Sequence, residues 1–451
     1  MKRASRILSV TLAGVLCAAS LAACGGSNQN TSGATQTGIS SSQKSAGGPV
    51  KLKFTAPQLS TDPGIVHTIE FAKKELNTDL EFEEIASDKY LDKISVVLLA
   101  NNADFDFFYS ILPNMGAYVN ANAVMPVDDL AKKAGIDMEK KFGASIQKIN
   151  GNIYQLPNTK DIWMTMYNKK IFDEAGVAYP SADGWTWDKY IETAKKISNP
   201  KKGIYGSFLN QNNDTFRILL AQQQGVSVYK KDGTTNFDDP AFAKSFKFLK
   251  DMDDNQMQIN YMNYVSQKAA WDTFAAGKVG MTVNGGWSID FVTKQKDYPR
   301  DWECGILPMP AVDAAHPTTL SVIGGYFLPT NTSNPDAAFR VAEQLAEKEY
   351  TFNPQRLPTV AGLSKEELLK YIDTTYMPNF KNGEVKDEDI YNAWFNPDRK
   401  LESEKFIGPA CTELTQMVID EVDPYLLGKK SLEDTVKTLK EKGDEALKDA
   451  D

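Results

Sequence analysis

Aromatic and amide side chains are concentrated near the ends of the apolar and amphipathic segments of this chain. A flat ring stacks on the C–H face of a pyranose, and an amide both donates to and accepts from the hydroxyls at its rim. This combination favours a neutral sugar as ligand, although any one of the rings taken alone is more typical of a packed core. The residues that carry the pattern are Tyr109, Trp163, Trp287, Tyr326, Trp394 and Phe406, with the amides Asn158, Asn210, Asn212 and Asn213.

Motifs for metal or covalent chemistry are missing from the sequence. The two histidines, His67 and His316, have no cysteine or carboxylate at metal-ligand spacing beside them. There is no GxSxG elbow, no phosphate loop with GK[ST] and no dinucleotide fingerprint after the first strand. We therefore expect no metal and no cofactor. Carboxylate pairs such as Asp238 and Asp239 are explained by solvated turns and helix faces, and a glycosidase with two inward carboxylates is the alternative from another class of protein.

The length and charge of the chain limit the classes of protein it can belong to. A chain of 451 residues is too long for one compact core, so two domains are expected. Its hydrophobic content of 42% and charged content of 24% are ordinary for a soluble globular protein. The formal net charge is -9 at pH 7. A nucleic-acid-binding protein needs the opposite balance, so we expect no nucleic acid as a partner.

The N-terminal residues have the order of a secretory signal. A cationic start, MKRASR, precedes the apolar run ILSVTLAGVLCAASLAA. The run ends in LAAC, which resembles the bacterial lipobox, where the cysteine is acylated and the chain is cut before it. We predict a signal peptide over residues 1–23 and lipidation of Cys24; the alternative is a plain signal peptide with an incidental cysteine. The protein would lie in the cell envelope, at the outer face of the cytoplasmic membrane, or on the periplasmic side if an outer membrane is present.

Residues 24–49 are predicted to be a lipidated flexible tether. From Gly25 to Gly48 the chain is almost all Gly, Ser, Thr, Asn and Gln, which cannot bury enough apolar surface to offset the entropy of the chain. No later apolar run is long enough to span a membrane, so attachment would be by lipid alone.

Two cysteines remain once Cys17 leaves with the signal and Cys24 carries lipid. Cys304 and Cys411 could form one disulfide outside the cytoplasm or stay as separate buried thiols. The sequence leaves both alternatives open.

Apolar periodicity predicts alternating strands and helices after the tether. Strands are predicted in VKLKFTAP, LEFEEI and DFDFFYS, with helices between them in PGIVHTIEFAKKEL and YLDKISVVLLANN. This β-α-β-α-β order favours a largely parallel sheet with crossover helices. Further on, WTWDKYIETAKKI has an N-cap at Thr186 and an amphipathic pattern that places Trp185 and Trp187 in the core.

Several segments, taken in order, resemble one family. The stretch GKVGMTVNGGW, preceded by AAWDTFAAGK and followed by CGILPMP, resembles the part of bacterial extracellular solute-binding proteins of the maltodextrin-binding type that delivers a sugar-stacking Trp. The stretch GNIYQLPNTKDIWMTMYNKKIFDEAGVAYP is similar to the family's first crossing between lobes. IGGYFLPTNTSNPDAAFRVAEQLA is similar to its returning segment. With the lipobox, these segments cover most of the chain.

The resemblance implies an α/β fold of the two-lobed periplasmic-binding-protein type (type II). Each lobe would be a mostly parallel sheet flanked by helices, and crossing hinge strands would join the lobes around a ligand cleft. Lobe 1 would hold residues 50–160 and 311–357, and lobe 2 residues 161–310 and 358–451. The implied function is binding without catalysis: a monomeric lipoprotein captures a carbohydrate, expected to be an oligosaccharide, and passes it to the permease subunits of an ABC transporter.

The resemblance also assigns roles to single residues. Trp287 follows the MTVN strand where the family places its stacking Trp, and the Gly285-Gly286 pair lets the backbone reach the edge of the cleft. Asp161 stands at the family's carboxylate before YNK and would accept hydrogen bonds from sugar hydroxyls. Trp163 would lie on the same strand face by the period of two. The loop candidates are Tyr109, Ser110 and Asn114 in lobe 1 and Asn210, Asn212 and Asn213 in lobe 2.

The chain departs from the maltodextrin binders in two places. The loop after the acidic strand end, where Asp106 is interpreted as structural, is YSILPNM without an additional Trp, so stacking there would come from Tyr109 or be absent. The C-terminal segment is longer, which leaves open whether Trp394 or Phe406 supplies the last stacking ring. A non-sugar ligand, such as a polyamine or a metal chelate, is therefore an alternative. So is a substrate-presenting or adhesion lipoprotein without a transporter.

Overall fold

The computed structural model describes residues 48–211, 214–267, 271–353 and 356–450. The predicted signal peptide (1–23), Cys24 and the predicted tether up to residue 47 lie outside the described residues, as do Asn212 and Asn213. From Gly48 onward the chain clusters as one compact unit.

Strands and helices alternate along the described chain. The strands are β1 (Val50–Ala56), β2 (Thr78–Glu84), β3 (Phe107–Ile111), β4 (Lys148–Ile149), β5 (Asn152–Ile153), β6 (Leu156–Ile162), β7 (Met164–Asn168), β8 (Tyr205–Phe208), β9 (Val279–Asn284), β10 (Cys304–Pro308), β11 (Thr318–Phe327) and β12 (Lys400–Ser403). The α-helices are α1 (Pro63–Glu75), α2 (Tyr90–Leu99), α3 (Gly116–Asn120), α4 (Asp128–Ala134), α5 (Met138–Phe142), α6 (Lys169–Ala175), α7 (Trp187–Ile197), α8 (Asp214–Gln223), α9 (Pro240–Asp254), α10 (Tyr261–Gln267), α11 (Asp290–Thr293), α12 (Pro335–Lys348), α13 (Lys365–Thr375), α14 (Asp387–Trp394), α15 (Cys411–Leu426) and α16 (Leu432–Ala450).

A six-stranded sheet has the order β12-β11-β3-β1-β2, and β6 also pairs with β11. Strand β1 pairs in parallel with β2 and with β3, and α1 and α2 are the crossovers, which confirms the predicted β-α-β-α-β order. Strand β11 is antiparallel to β3 and β6 and parallel to β12. We call the part of the protein built on this sheet the first lobe.

A four-stranded sheet, the basis of the second lobe, has the order β10-β7-β9-β8. Only β8 and β9 are parallel; β7 is antiparallel to both β9 and β10. Both sheets are therefore mixed. The prediction of a mostly parallel sheet is confirmed for the six-stranded sheet, where three of the five strand pairs are parallel, and is wrong for the four-stranded sheet, where one of three is. The reason lies in the crossings: the chain passes from β6 in one sheet to β7 in the other, and returns from β10 to β11. These four strands supply the antiparallel pairs.

Each sheet packs against its own apolar core. Phe107 and Phe108, consecutive residues of β3, enter two clusters on opposite faces of the six-stranded sheet, because side chains alternate along a strand. A larger cluster covers the four-stranded sheet and includes Trp185, Trp187 and Tyr190. Two clusters therefore pack on the six-stranded sheet and a third on the four-stranded sheet.

Helix α7 shows how the local sequence determines an element. The Thr186 side chain accepts a hydrogen bond from the backbone N–H of Lys189, so the predicted N-cap is confirmed. Trp185 and Trp187 are buried, as predicted, and the indole N–H of Trp187 donates to Oε1 of Gln223 at 2.7 Å. Burial of one such ring contributes about 1.5–3 kcal/mol.

The two remaining cysteines are separate. Cys304 and Cys411 are both buried free thiols, so the disulfide alternative is wrong. Burial raises the pKa of the Cys304 thiol to about 12, which makes it unreactive.

Two absences within the described residues bear on anchoring and metals. None of the helices in this part of the chain is long and apolar enough to cross a bilayer. No group of three or more His, Cys, Asp or Glu within it could hold a metal ion.

Candidate ligand-binding site

Asp161 lies near the end of β6, just before the chain crosses into the second lobe. The backbone N–H of Trp287 lies close to the Asp161 carboxylate. Burial and the nearby charge of Glu404 raise the pKa of Asp161 to about 7, against the opposing effects of Arg356 and the Trp287 N–H. A carboxylate that is partly desolvated and only partly satisfied is a strong hydrogen-bond acceptor for a ligand hydroxyl.

Trp287 lies in a short 3-10 turn, Gly286–Ile289, directly after β9. Its side chain is 40% exposed, unlike the other tryptophans whose burial the structure describes. The indole packs edge-on against Phe291 at 5.7 Å between ring centres and folds back over Gly285, where a Cβ would stand 2.6 Å from Nε1. A Cβ at Gly286 would stand 3.3 Å from the Trp394 ring. The two glycines thus let the turn pass between two indoles and leave one of them partly exposed.

Tyr109, in β3, borders the same region from the first lobe. The Arg356 guanidinium lies 4.8 Å from the centre of the Tyr109 ring, a cation–π contact. Burial raises the pKa of the Tyr109 hydroxyl, the positive charge of Arg356 opposes the rise, and Asp161 adds to it. The phenol, the guanidinium and the Asp161 carboxylate are therefore electrostatic neighbours.

A buried glutamate, Glu349, positions Arg356. Its carboxylate accepts hydrogen bonds from Asn158 Nδ2 and the Tyr326 hydroxyl at 2.6 Å each, from Asn353 Nδ2 at 3.2 Å and from Arg356 Nε at 3.4 Å. Tyr326 is only 3% exposed. Asn158 and Tyr326, which the sequence pattern placed among ligand contacts, thus point to Glu349 and act on the site through Arg356.

Trp163 is buried, with 2% exposure, and packs edge-on against Phe216 at 5.2 Å. Its indole N–H donates to the carboxylate of Glu404. Burial raises the pKa of Glu404, and Lys405 and the Trp163 N–H oppose the rise. Trp163 follows the last residue of β6, so the strand alternation used to place it beside Asp161 no longer applies, and its role is to hold Glu404.

The remaining candidates lie in several environments. Phe406 is in the core of the second lobe, edge-on to Phe237 and Phe242, because apolar neighbours surround it there. Trp394 is 3% exposed and packs edge-on against Tyr376 at 5.1 Å, behind the Trp287 turn. The structure therefore brings neither ring to an exposed stacking position.

The polar candidates are also mostly enclosed. Asn210 is buried and accepts a hydrogen bond from the Tyr264 hydroxyl. Ser110 is buried, and its Oγ has no hydrogen-bond partner among the described residues. Asn114 is half-buried in the turn after β3. Asp106 accepts from the Lys53 backbone N–H and the Thr332 hydroxyl, which confirms its structural interpretation.

Two cavities open where segments of the two lobes face each other. One, of about 610 Å³, is lined by residues that include Asp62, Lys294 and Tyr376. The other, of about 590 Å³, is lined by residues that include Gly116 and Ile407. Tyr376 lines the first cavity; burial raises the pKa of its hydroxyl, and Tyr371 and the negative charges of Asp290 and Asp161 add to the rise.

The site therefore combines predicted and unpredicted residues. Trp287, Asp161 and Tyr109 come together, joined by Arg356 and Glu404, which the sequence reasoning missed. Arg356 lies in FNPQRLP, which carries no motif, and Glu404 lies in a C-terminal stretch that was considered only for its aromatic residues. An exposed indole beside partly desolvated carboxylates and a phenol can hold a flat polyol by stacking and by hydrogen bonds.

This fold is that of a binding protein. Residues 55–351 match the profile of the family described as bacterial extracellular solute-binding protein, and the chain belongs to that family. This confirms the resemblance of the crossing and returning segments.

Relatives and solved structures agree with this assignment. A putative binding protein of Brucella abortus is 26% identical over 302 residues, which is 64% of this chain and 69% of the relative. A maltotriose-binding protein of Pyrococcus abyssi is 26% identical over 260 residues, 55% of this chain and 51% of the relative. The structure of a Listeria monocytogenes ABC substrate-binding protein in complex with cycloalternan aligns with a TM-score of 0.73 at 19% identity, over 89% of this chain and 99% of that one. This likeness shows the two-lobed fold.

Proposed function

We propose that this protein captures a carbohydrate, an oligosaccharide, in the cleft between its lobes and delivers it to the permease subunits of an ABC importer. The observation that carries the proposal is the exposed indole of Trp287 beside the Asp161 carboxylate that its own backbone N–H contacts. A pyranose stacked on the indole would present its hydroxyl rim to Asp161, Glu404 and Tyr109. The names of the Pyrococcus relative and of the Listeria complex support a saccharide ligand.

An oligosaccharide is proposed as the ligand because the Pyrococcus relative is named for maltotriose and the Listeria complex for cycloalternan. The cavities of about 610 and 590 Å³ are lined by residues other than Trp287, Asp161 and Tyr109, so they do not indicate the length of the ligand. We place lobe 1 at residues 50–160 and 311–357 and lobe 2 at 161–310 and 358–451, with the ligand shifting a hinge equilibrium towards closure. Strand β12 falls within residues 358–451 of lobe 2 but pairs with β11 in the six-stranded sheet.

A polyamine fits the charges of the site less well than a neutral sugar does. A cationic ligand needs fully ionised carboxylates, whereas burial raises the pKa of both Asp161 and Glu404. The guanidinium of Arg356 also stands in the same region. A neutral polyol meets neither obstacle.

The attachment and assembly of the protein are part of the same proposal. Acylation of Cys24 would tether a monomer to the outer face of the cytoplasmic membrane, or to the periplasmic side of an envelope with an outer membrane. Metabolic labelling with an alkyne fatty acid tests this: label is expected on the wild-type protein and not on Cys24→Ala. Release of an unlabelled wild-type protein into the medium would contradict it.

A calorimetric screen over mono- and oligosaccharides tests the binding function, with chromatography of the sugars after incubation. We expect at least one oligosaccharide to bind with micromolar affinity or better, about 8 kcal/mol, and to be recovered intact. Hydrolysis of the sugar by the pure protein would indicate the glycosidase alternative. Binding of polyamines with no sugar binding would contradict the proposed ligand class.

A further inference from the structure

Three segments meet at one edge of the four-stranded sheet. Strands β8 and β9 are parallel, so their carboxyl ends lie side by side. Strand β7 begins at the same edge, because its first residue, Met164, pairs with Asn284, the last residue of β9. Asn210 follows β8, Trp287 follows β9 and Asp161 precedes β7. Adjacent strands are about 4.8 Å apart, so one saccharide at this edge can reach all three positions.

The side-chain amide of Asn210 is held at its oxygen only. Its Oδ1 accepts a hydrogen bond from the Tyr264 hydroxyl. Its NH₂ group makes no hydrogen bond within the described residues and is not fully enclosed by them. The bond to Tyr264 therefore determines which way the amide faces: the oxygen faces the protein, and the two N–H donors are left for a ligand.

Tyr264 holds its hydroxyl in one place. It lies in α10 and is 5% exposed. Its ring stacks against Phe208, with 6.0 Å between ring centres, and against Tyr261, with 6.1 Å between ring centres. A ring packed in this way has little freedom to change rotamer, so the hydroxyl stays beside Asn210.

A buried carboxylate fixes α10 relative to the chain that follows β8. Asp253, in α9, accepts hydrogen bonds from Nε2 of Gln211 at 2.7 Å and from the backbone N–H of Tyr261 at 2.9 Å. Gln211 follows Asn210 in the chain, and Tyr261 is the first residue of α10. Asp253 therefore ties the neighbour of Asn210 to the helix that carries Tyr264.

We infer that Tyr264 is a positioning residue for saccharide binding. By holding Oδ1 of Asn210, it turns the amide NH₂ towards the ligand, where the two N–H groups donate to hydroxyl or ring oxygens of the sugar. Without this bond the amide is free to turn, and binding has to supply the free energy that orders it. The inference rests on the proposed function and deepens it: this edge of the site supplies donors to the sugar, in addition to the acceptor that Asp161 supplies.

A double-mutant cycle tests the inference, by titration calorimetry with the tightest-binding sugar of the screen, which includes maltotriose and lactose. Tyr264→Phe keeps the stacked ring and removes only the hydroxyl, and is expected to weaken binding about threefold to tenfold. Asn210→Ala is expected to weaken it about tenfold. Adding Tyr264→Phe to Asn210→Ala is expected to cause no further loss, because Tyr264 acts through Asn210.

Two further variants separate positioning from a general effect on structure. Asn210→Asp keeps an acceptor for the Tyr264 hydroxyl and replaces the NH₂ donors by an oxygen, so we expect about tenfold weaker binding or more. Tyr190→Phe removes another buried tyrosine hydroxyl of the second lobe, which bonds to Oγ of Ser207 at 2.6 Å. It is the matched control and is expected to bind the sugar like the wild type.

The inference is overturned if Tyr264→Phe or Asn210→Asp binds the sugar undiminished. It is also overturned if Tyr264→Phe weakens binding equally with and without Asn210, or if Tyr190→Phe weakens it as much. In these cases sugar binding by the wild type leaves the proposed function standing. If no sugar of the screen binds the wild type, the proposed function fails and this inference fails with it.

Discussion

The backbone N–H of Trp287 lies close enough to the carboxylate of Asp161 to favour its ionised form and so to lower its pKa. This contact joins the turn after β9, in the second lobe, to β6, in the sheet of the first lobe. The exposed indole and the partly desolvated carboxylate are therefore held in a fixed relation, and a ligand that stacks on one is within reach of the other.

The protonation of Asp161 predicts a pH dependence of stability. Because its pKa is raised from 3.8 to about 7, the folded state binds this proton more tightly than the unfolded state does. Its contribution to stability is complete below about pH 4 and is lost as the pH rises through 7. Asp161→Asn removes this contribution. The melting temperature of the variant minus that of the wild type is therefore expected to be larger at pH 8 than at pH 5, by about 2 °C or more.

Differential scanning calorimetry at pH 5 and pH 8 measures this difference, with Asp104→Asn as the control. A hydrogen bond from Lys53 lowers the pKa of Asp104, so any effect of the control has the opposite sign. Identical pH profiles for wild type and Asp161→Asn would contradict the burial of Asp161 in this site.

The network around Glu349 predicts a large loss of stability. Glu349→Gln leaves the buried Arg356 guanidinium without its counter-charge. The new amide NH₂ is also a donor that faces the donors around it. The change is expected to lower the free energy of unfolding by about 3 kcal/mol. Urea unfolding measures the cost. Glu347→Gln is the matched control, since its more exposed ion pairs with Lys141 and Lys348 contribute less than about 1 kcal/mol. Equal effects of the two changes would show that Glu349 does not hold Arg356.

The close packing of the chain at Gly286 predicts a smaller loss of stability. In Gly286→Ala the new Cβ meets the Trp394 ring at 3.3 Å, closer than an ordinary contact, so we expect a loss of about 1 kcal/mol. In Gly116→Ala the nearest atom stands at 3.6 Å and the backbone is helical, so the control is expected to be neutral or slightly more stable. An unchanged free energy of unfolding in Gly286→Ala would mean that Trp394 does not support the Trp287 turn.

The features that the sequence predicted depend on local patterns. The β-α-β-α-β start, the Thr186 cap and the burial of Trp185 and Trp187 follow from periodicity and capping within one segment. The antiparallel crossings, the core position of Phe406 and the contact between Trp163 and Glu404 depend on which distant segments pair. Glu349 joins Asn158, Tyr326 and Arg356 over up to 191 positions of the chain, and no spacing rule in a single sequence reports such a meeting.

The most direct test of the central claim is the saccharide affinity of Trp287→Ala, measured by calorimetry with the preferred sugar from the screen. Loss of the stacking ring is expected to cost about 2 kcal/mol of binding, roughly a 30-fold weaker affinity, with little change in melting temperature because the indole is 40% exposed. Tyr179→Ala, which removes another exposed ring of 45% exposure, is the control and should bind the sugar like wild type. Full affinity in Trp287→Ala would contradict the claim that this indole stacks on a sugar.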